Sequence, residues 1–178
     1  SFAPVGTLLP ETAAALGLPQ GVTVCAGAGD NAAAAVGTGT VSTGAAHADS
    51  RCNISLGTSG TIFISSEKFG VDATNGLHAF AHADGGWHLM GCMLSAASCN
   101  KWWQDAIIGT NDYKGEEAKI APEMLGRNHV YFLPYLMGER SPINDTNARA
   151  MFVGMTMDTA RADMTQAMLE GVAFAIRD

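Results

Sequence analysis

The stretch Val22-Thr23-Val24-Cys25-Ala26-Gly27-Ala28-Gly29-Asp30-Asn31 decides how this 178-residue chain is read. Val22 to Ala26 is a short run of apolar and β-branched residues that predicts a buried strand, and Gly27-Ala28-Gly29 opens it into a loop. An acid and an amide stand where that loop ends. The run Asn31 to Val36 then predicts a helical turn or two of small residues, able to pack closely on a sheet. A carboxylate just past a strand can take a proton from a hydroxyl, and it can equally cap the helix beginning beside it. Spacing alone leaves both roles open for Asp30.

Working outward, a second compact loop, Gly57-Thr58-Ser59-Gly60, separates two strand-like runs. Glycines let backbone approach an anion, and the loop's N–H groups with the Thr58 and Ser59 hydroxyls are donors for phosphate oxygens. The same residues also suit a plain hairpin turn. An acid after one strand and a donor-rich loop after another have together the shape of a phosphoryl-transfer site.

Around these motifs the pattern predicts a helix over Pro10 to Leu18, closed by Gly17 and Pro19. A polar, glycine-rich stretch from Gly37 to Ser50 reads as the crossing between two lobes. Strands are expected at Asn53 to Leu56, Thr61 to Ser65, Leu77 to Ala83 and Trp87 to Met93, in the sequential order of a β-meander. Ser95 to Ile107 is helical by pattern, His129 to Leu136 is a strand, and Met137 to Asn147 is a polar loop. A last helix begins near Thr159, and Met164, Ala167, Met168, Gly171, Val172 and Ala175 line one stripe along it. That stripe must bury itself against the visible residues or against a second copy, which admits a homodimer. The helix meets no stop signal before Asp178, so the chain reads as a fragment of an α/β protein.

Composition excludes several classes. A formal charge of -7 with a pI near 5.1 gives no basic footprint for nucleic acid or for an anionic membrane surface. No run approaches the ~20 apolar residues of a membrane span, and Ser1 to Pro10 do not resemble a secretory leader, which points to a cytoplasmic protein. Cys25, Cys52, Cys92 and Cys99 form no C-x-x-C pair and read as reduced, buried thiols. His78 and His82 lie in an alternating, strand-like segment rather than on one helix face, and no metal site is expected. Trp102 and Trp103 read as residues of core packing or lobe contact rather than as a stack for a base.

In order along the chain stand Val22 to Asn31, Ile54-Ser55-Leu56-Gly57-Thr58-Ser59-Gly60, and Trp87-His88-Leu89-Met90 through Leu94-Ser95-Ala96-Ala97-Ser98. Tyr135-Leu136-Met137-Gly138-Glu139-Arg140-Ser141-Pro142 follows, then Phe152-Val153-Gly154-Met155 and Leu169-Glu170-Gly171-Val172-Ala173-Phe174. This ordered set resembles the FGGY carbohydrate kinases. The resemblance implies actin-like, ribonuclease-H-like lobes of the hexokinase type, here truncated, with a β-meander and flanking helices. Residues 1–50 would be the end of the sugar lobe with the crossover, and 51–178 the nucleotide lobe, ending before the adenine loop.

The same resemblance implies transfer of the ATP γ-phosphate, with Mg²⁺, to a ketose hydroxyl. D-xylulose is the first candidate; ribulose, gluconate and glycerol are alternatives. Asp30 matches the family's base and Asn31 its neighbour at the sugar, while Gly57, Thr58, Ser59 and Gly60 match its phosphate loop. Arg140 would either meet phosphate or pair with Glu139. The fragment alone is expected to be catalytically silent, because residues that position both reactants are missing.

Two rival readings stand beside this one. Ser98-Cys99-Asn100-Lys101 is an S-x-x-K string like that of penicillin-recognising serine hydrolases, although its Ser-Asp-Asn and Lys-Thr-Gly partners are absent. A non-catalytic nucleotide-binding or oligomerising half-module is the other, since actin-like lobes also serve non-enzymes.

Overall fold

A computed structural model describes residues 3–41, 51–74 and 76–178. The chain folds as β1 (Pro4–Thr7), α1 (Pro10–Leu16), β2 (Thr23–Cys25), α2 (Asp30–Gly37), β3 (Cys52–Leu56), β4 (Gly60–Ser66), β5 (His78–Ala81) and β6 (Trp87–Met93). It continues through α3 (Ala97–Trp102), which runs on as a π-helical turn at Trp103–Ile107, then α4 (Tyr113–Glu117), β7 (Tyr131–Leu133), β8 (Met151–Val153) and α5 (Arg161–Arg177). The expected α/β fold is what forms. Of the Gly37 to Ser50 crossing, residues 42–50 lie outside the described residues.

The strand order β3-β4-β6-β5 departs from a sequential meander. β5 and β6 are joined by the tight turn Asp84-Gly85-Gly86, in which Gly85 takes φ 95° and the His82 N–H donates to the Gly86 carbonyl at 2.8 Å. The connection from β4 to β5 is long enough to let β6, not β5, pair with β4. β2 is also corrected: it pairs antiparallel with β1, a strand that propensity missed, and every residue of both strands is exposed.

The chain divides into two compact units. The first comprises Ser1–Asn53, Phe63–Val71 and Ala79–Leu89, and the second Ile54–Ile62, Asp72–His78 and Met90–Asp178. In the first, α2 buries Ala32 and Ala35 against Phe63. The Phe63 ring stacks on His88 with centroids 4.0 Å apart, and His82 meets its edge while its Nε2 lies 2.9 Å from the Thr40 carbonyl.

In the second unit, α5 lies on β7. Cys99, Trp103, Val130, Phe132, Ala167 and Met168 form its core, with Met164 and Val172 packed against it. The stripe from Met164 to Val172 is therefore covered by this chain's own residues. The buried face of α5 also holds Thr165 and Gln166, which the apolar pattern did not include. Thr165 Oγ1 accepts the indole N–H of Trp103 at 2.9 Å, and Gln166 Nε2 donates to the Met124 carbonyl and to Glu170, so both are tolerated inside. Gly171 is where helix and strand meet most closely: a Cβ there would overlap the Phe132 carbonyl oxygen. Two of the four cysteines, Cys25 and Cys52, are exposed rather than buried, because the strands that carry them present their outer faces.

Candidate functional site

Asp30 is the first residue of α2. Gly29 precedes it in extended conformation (φ -66°, ψ 159°), so the chain leaves the glycine loop and enters the helix within one residue. The carboxylate is exposed, and its Oδ1 accepts the Asn31 N–H at 2.8 Å. The helix start thus uses one carboxylate oxygen. Asn31 is half-buried beside it. Both belong to the first unit.

The Gly57–Gly60 loop belongs to the second unit and is held by the residues entering α3. Ala97 N–H donates to the Gly57 carbonyl at 2.9 Å, Ala96 N–H to the Thr58 carbonyl at 3.0 Å, and the Ser98 hydroxyl to that same carbonyl at 2.7 Å. In a planar trans peptide the N–H points opposite to the C=O. Clamping the Gly57 and Thr58 carbonyls toward α3 therefore turns the Thr58 and Ser59 N–H groups to the other side of the loop. Gly60, at the start of β4, is enclosed: a Cβ there would stand 2.9 Å from Met93 Cγ and 3.2 Å from Ala96 Cβ.

Beside this loop lies a cavity of about 360 Å³, within the ~300–1,000 Å³ of small-molecule pockets. Leu56, the residue before the loop, and Ala96 and Ala97, its clamps, form one wall; Leu169, Val172 and Ile176 of α5 form another. Asn100 and Tyr113 are its two polar side chains that carry hydrogen-bonding groups. The Tyr113 hydroxyl donates to Asp105 Oδ1 at 3.2 Å, and burial, followed by the Asp105 charge, holds its pKa above the usual phenol value. Its ring is what Tyr113 offers the cavity.

Pattern reading missed this cavity, although half its signal was present. Leu169, Ala173 and Ile176 recur at helical spacing beside the stripe through Val172, a second apolar face of which Leu169 also packs against the core. Tyr113 carried no signal, since α4 is a five-residue helix started by the Asp112 side chain, which accepts the Gly115 N–H.

The serine-hydrolase reading does not survive the geometry. Ser98 gives its hydroxyl hydrogen to Thr58, and Lys101 pairs with Asp105 four residues on, so neither group serves the other. Trp103 is buried and Trp102 stacks on Phe132, in line with the core-packing reading. Glu139 accepts the backbone N–H of Arg140 rather than its guanidinium. Among the described residues no group of three or more His, Cys, Asp or Glu side chains could hold a metal ion, and no helix is long and apolar enough to cross a membrane.

Residues 52–178 match the model of the FGGY family of carbohydrate kinases, C-terminal domain. The chain belongs to that family. It is 43% identical over 176 residues to the xylulose kinase of Klebsiella pneumoniae and 42% identical over 174 residues to that of Escherichia coli K12, and covers 97% of itself and 34% of each relative. Among solved structures it resembles a xyloylose kinase from Brucella ovis, with a TM-score of 0.85 and 41% identity over 98% of this chain and 34% of that one. A gluconate kinase from Lactobacillus acidophilus superposes with a TM-score of 0.81 at 25% identity, covering 98% of this chain and 35% of its own. The chain thus spans about a third of the length of the relatives it matches.

Proposed function

We propose that this FGGY-family chain is the part of an ATP-dependent ketopentose kinase that holds the nucleotide and the catalytic base, with D-xylulose as acceptor and D-xylulose 5-phosphate as product. The observation that carries the nucleotide half is the clamped Gly57–Gly60 loop, whose preceding residue Leu56 and clamps Ala96 and Ala97 line an apolar cavity. Backbone N–H groups of Thr58 and Ser59, with their hydroxyls, suit phosphate oxygens, and the adjoining cavity walled by Leu56 and α5 suits a planar base against Tyr113. On this reading residues 1–50 are the end of the sugar lobe, residues 51–178 are the nucleotide lobe, and the reaction is cytoplasmic.

Asp30 is the proposed base. While Oδ1 keeps the Asn31 N–H and so the start of α2, Oδ2 takes the proton of the sugar's terminal hydroxyl as that oxygen bonds to the γ-phosphorus and the bond to the β-phosphate oxygen breaks. Asn31 beside it holds the sugar. Mg²⁺, bound with ATP, would neutralise charge on the transferring phosphoryl group.

Identity to xylulose kinases above 40% favours xylulose, and the gluconate kinase likeness makes gluconate the reading to test against it. A coupled ADP-release assay of the full-length gene product over pentuloses, hexuloses, gluconate and glycerol decides between them. Xylulose should give the highest kcat/KM, and Asp30→Asn should lower kcat about 10²–10⁴-fold. Preference for gluconate or glycerol would overturn the sugar assignment, and near wild-type turnover by Asp30→Asn would leave Asp30 only its helix-start role. Nucleotide binding with no ATP consumption in the presence of any of these acceptors would favour the half-module.

A further inference from the structure

Glu139 is fully buried, yet nothing in the proposed chemistry uses it. Its Oε1 accepts two backbone N–H groups, from Leu94 and from Arg140, each at 2.7 Å. Its Oε2 is buried without a hydrogen-bond partner. Burial raises the carboxyl's pKa, against the two N–H groups that lower it. Such a group is costly to keep inside and needs a reason to be there.

Leu94 stands two residues before Ala96, where the segment that clamps the phosphate loop begins. Ala96, Ala97 and Ser98 hold the Gly57 and Thr58 carbonyls, so the direction of the Thr58 and Ser59 N–H groups depends on where the chain leaves β6. Two residues of the 139–141 loop, Glu139 and Ser141, hold that exit. Glu139 ties down the Leu94 N–H. One step back, Ser141 and Cys92 are joined twice, Cys92 N–H to Ser141 Oγ at 3.0 Å and Ser141 N–H to the Cys92 carbonyl at 3.1 Å.

We propose that Glu139 is a positioning residue for nucleotide binding: through Leu94 it sets the Ala96–Ser98 clamp and hence the aim of the phosphate loop. This rests on the reading that Gly57–Gly60 holds nucleotide phosphates. The two paired N–H groups need one acceptor oxygen in one place, and the second oxygen contributes no bond. A glutamine keeps the acceptor and its reach; an alanine removes it.

The test measures KM for ATP, KM for sugar and MgADP affinity by calorimetry on the full-length gene product, with Tm alongside. Glu139→Ala should raise KM for ATP and weaken MgADP binding by about tenfold or more, as expected for leaving two paired N–H groups without their acceptor, while KM for sugar stays within about twofold. Glu139→Gln should restore both to within about threefold. Asn128→Ala is the control, because Asn128 is a buried polar side chain of the same unit whose Nδ2 donates to the Asp163 carbonyl and whose Oδ1 accepts the Val130 N–H, partners that do not belong to the clamp. If Glu139→Ala does not fold, Glu139→Asp, which draws the carboxylate back by one methylene, should show the same loss.

Unchanged nucleotide parameters in Glu139→Ala would overturn the proposal, as would failure of glutamine to rescue. So would an equal rise in KM for ATP from Asn128→Ala. A wild-type protein that binds no MgADP would instead overturn the phosphate-loop reading itself, and is recognised before any variant is made.

Discussion

Lowering the pH should destabilise the first unit through His88. The imidazole is 5% exposed, stacked on Phe63 and edge-on to His82 at 5.7 Å, with Nδ1 buried and unpartnered. Burial, then repulsion from His82, lowers its pKa from 6.5 to about 4, against a smaller opposing pull from Asp84. The unfolded chain takes up this proton below 6.5 and the folded chain only below about 4. Stability is therefore complete above pH 6.5, falls as the pH drops through that window, and levels off below about 4. At ~1.36 kcal/mol per pH unit, the window contributes about 3 kcal/mol, a large part of the ~5–15 kcal/mol that keeps a domain folded.

Urea unfolding from pH 4 to 7.5 reads this slope, and an NMR titration of the His88 Hε1 proton reads the midpoint directly. His88→Phe keeps an aromatic ring on Phe63 and removes both the titration and the stranded Nδ1. It should flatten the stability profile in the window while costing little at pH 7. A His88 midpoint near 6.5 in the folded protein, or equal slopes for wild type and His88→Phe, would refute the reasoning.

Gly171→Ala should destabilise by about 1–3 kcal/mol or more, because its Cβ would meet the Phe132 carbonyl, with the carbonyl carbon 3.1 Å away and no flexible side chain to give way; a denaturation midpoint equal to wild type would contradict the close packing of α5 on β7. The Asp72 carboxylate accepts from the Thr74 hydroxyl and N–H and from the Gly76 and Leu77 N–H groups, which hold its pKa down at about 2. Its contribution is thus present above pH 3.8 and lost as the pH falls through about 2, and a carbon-detected titration should place its midpoint well below an ordinary Asp. Cys25 and Cys52 should react quickly with a thiol reagent at pH 8, whereas Cys92 and Cys99 should react only on unfolding, since both are buried and burial pushes the Cys99 thiol up to about 12. Four fast thiols would mean that the second unit is open in solution.

What could be read along the chain was whatever depends on near neighbours. Gly17 takes φ 66° and closes α1, Trp87–Met93 forms the expected strand, and Ala167, Met168 and Gly171 line the buried side of α5, because turn chemistry and periodicity act within a few residues. The glycine-flanked Asp30 and the Gly57–Gly60 loop were conspicuous for the same reason, and their order along the chain pointed to the family. Tertiary contact alone decided the rest. β6 rather than β5 pairs with β4, β2 lies exposed instead of buried, and Tyr113 reaches the cavity beside Leu56, each through partners far away in the chain. Glu139 is the clearest case: beside Arg140 it reads as a candidate half of an ion pair, but 45 residues separate it from the Leu94 N–H that it holds. Burial and hydrogen bonding over such separations follow from how the elements pack, and local pattern carries no record of that.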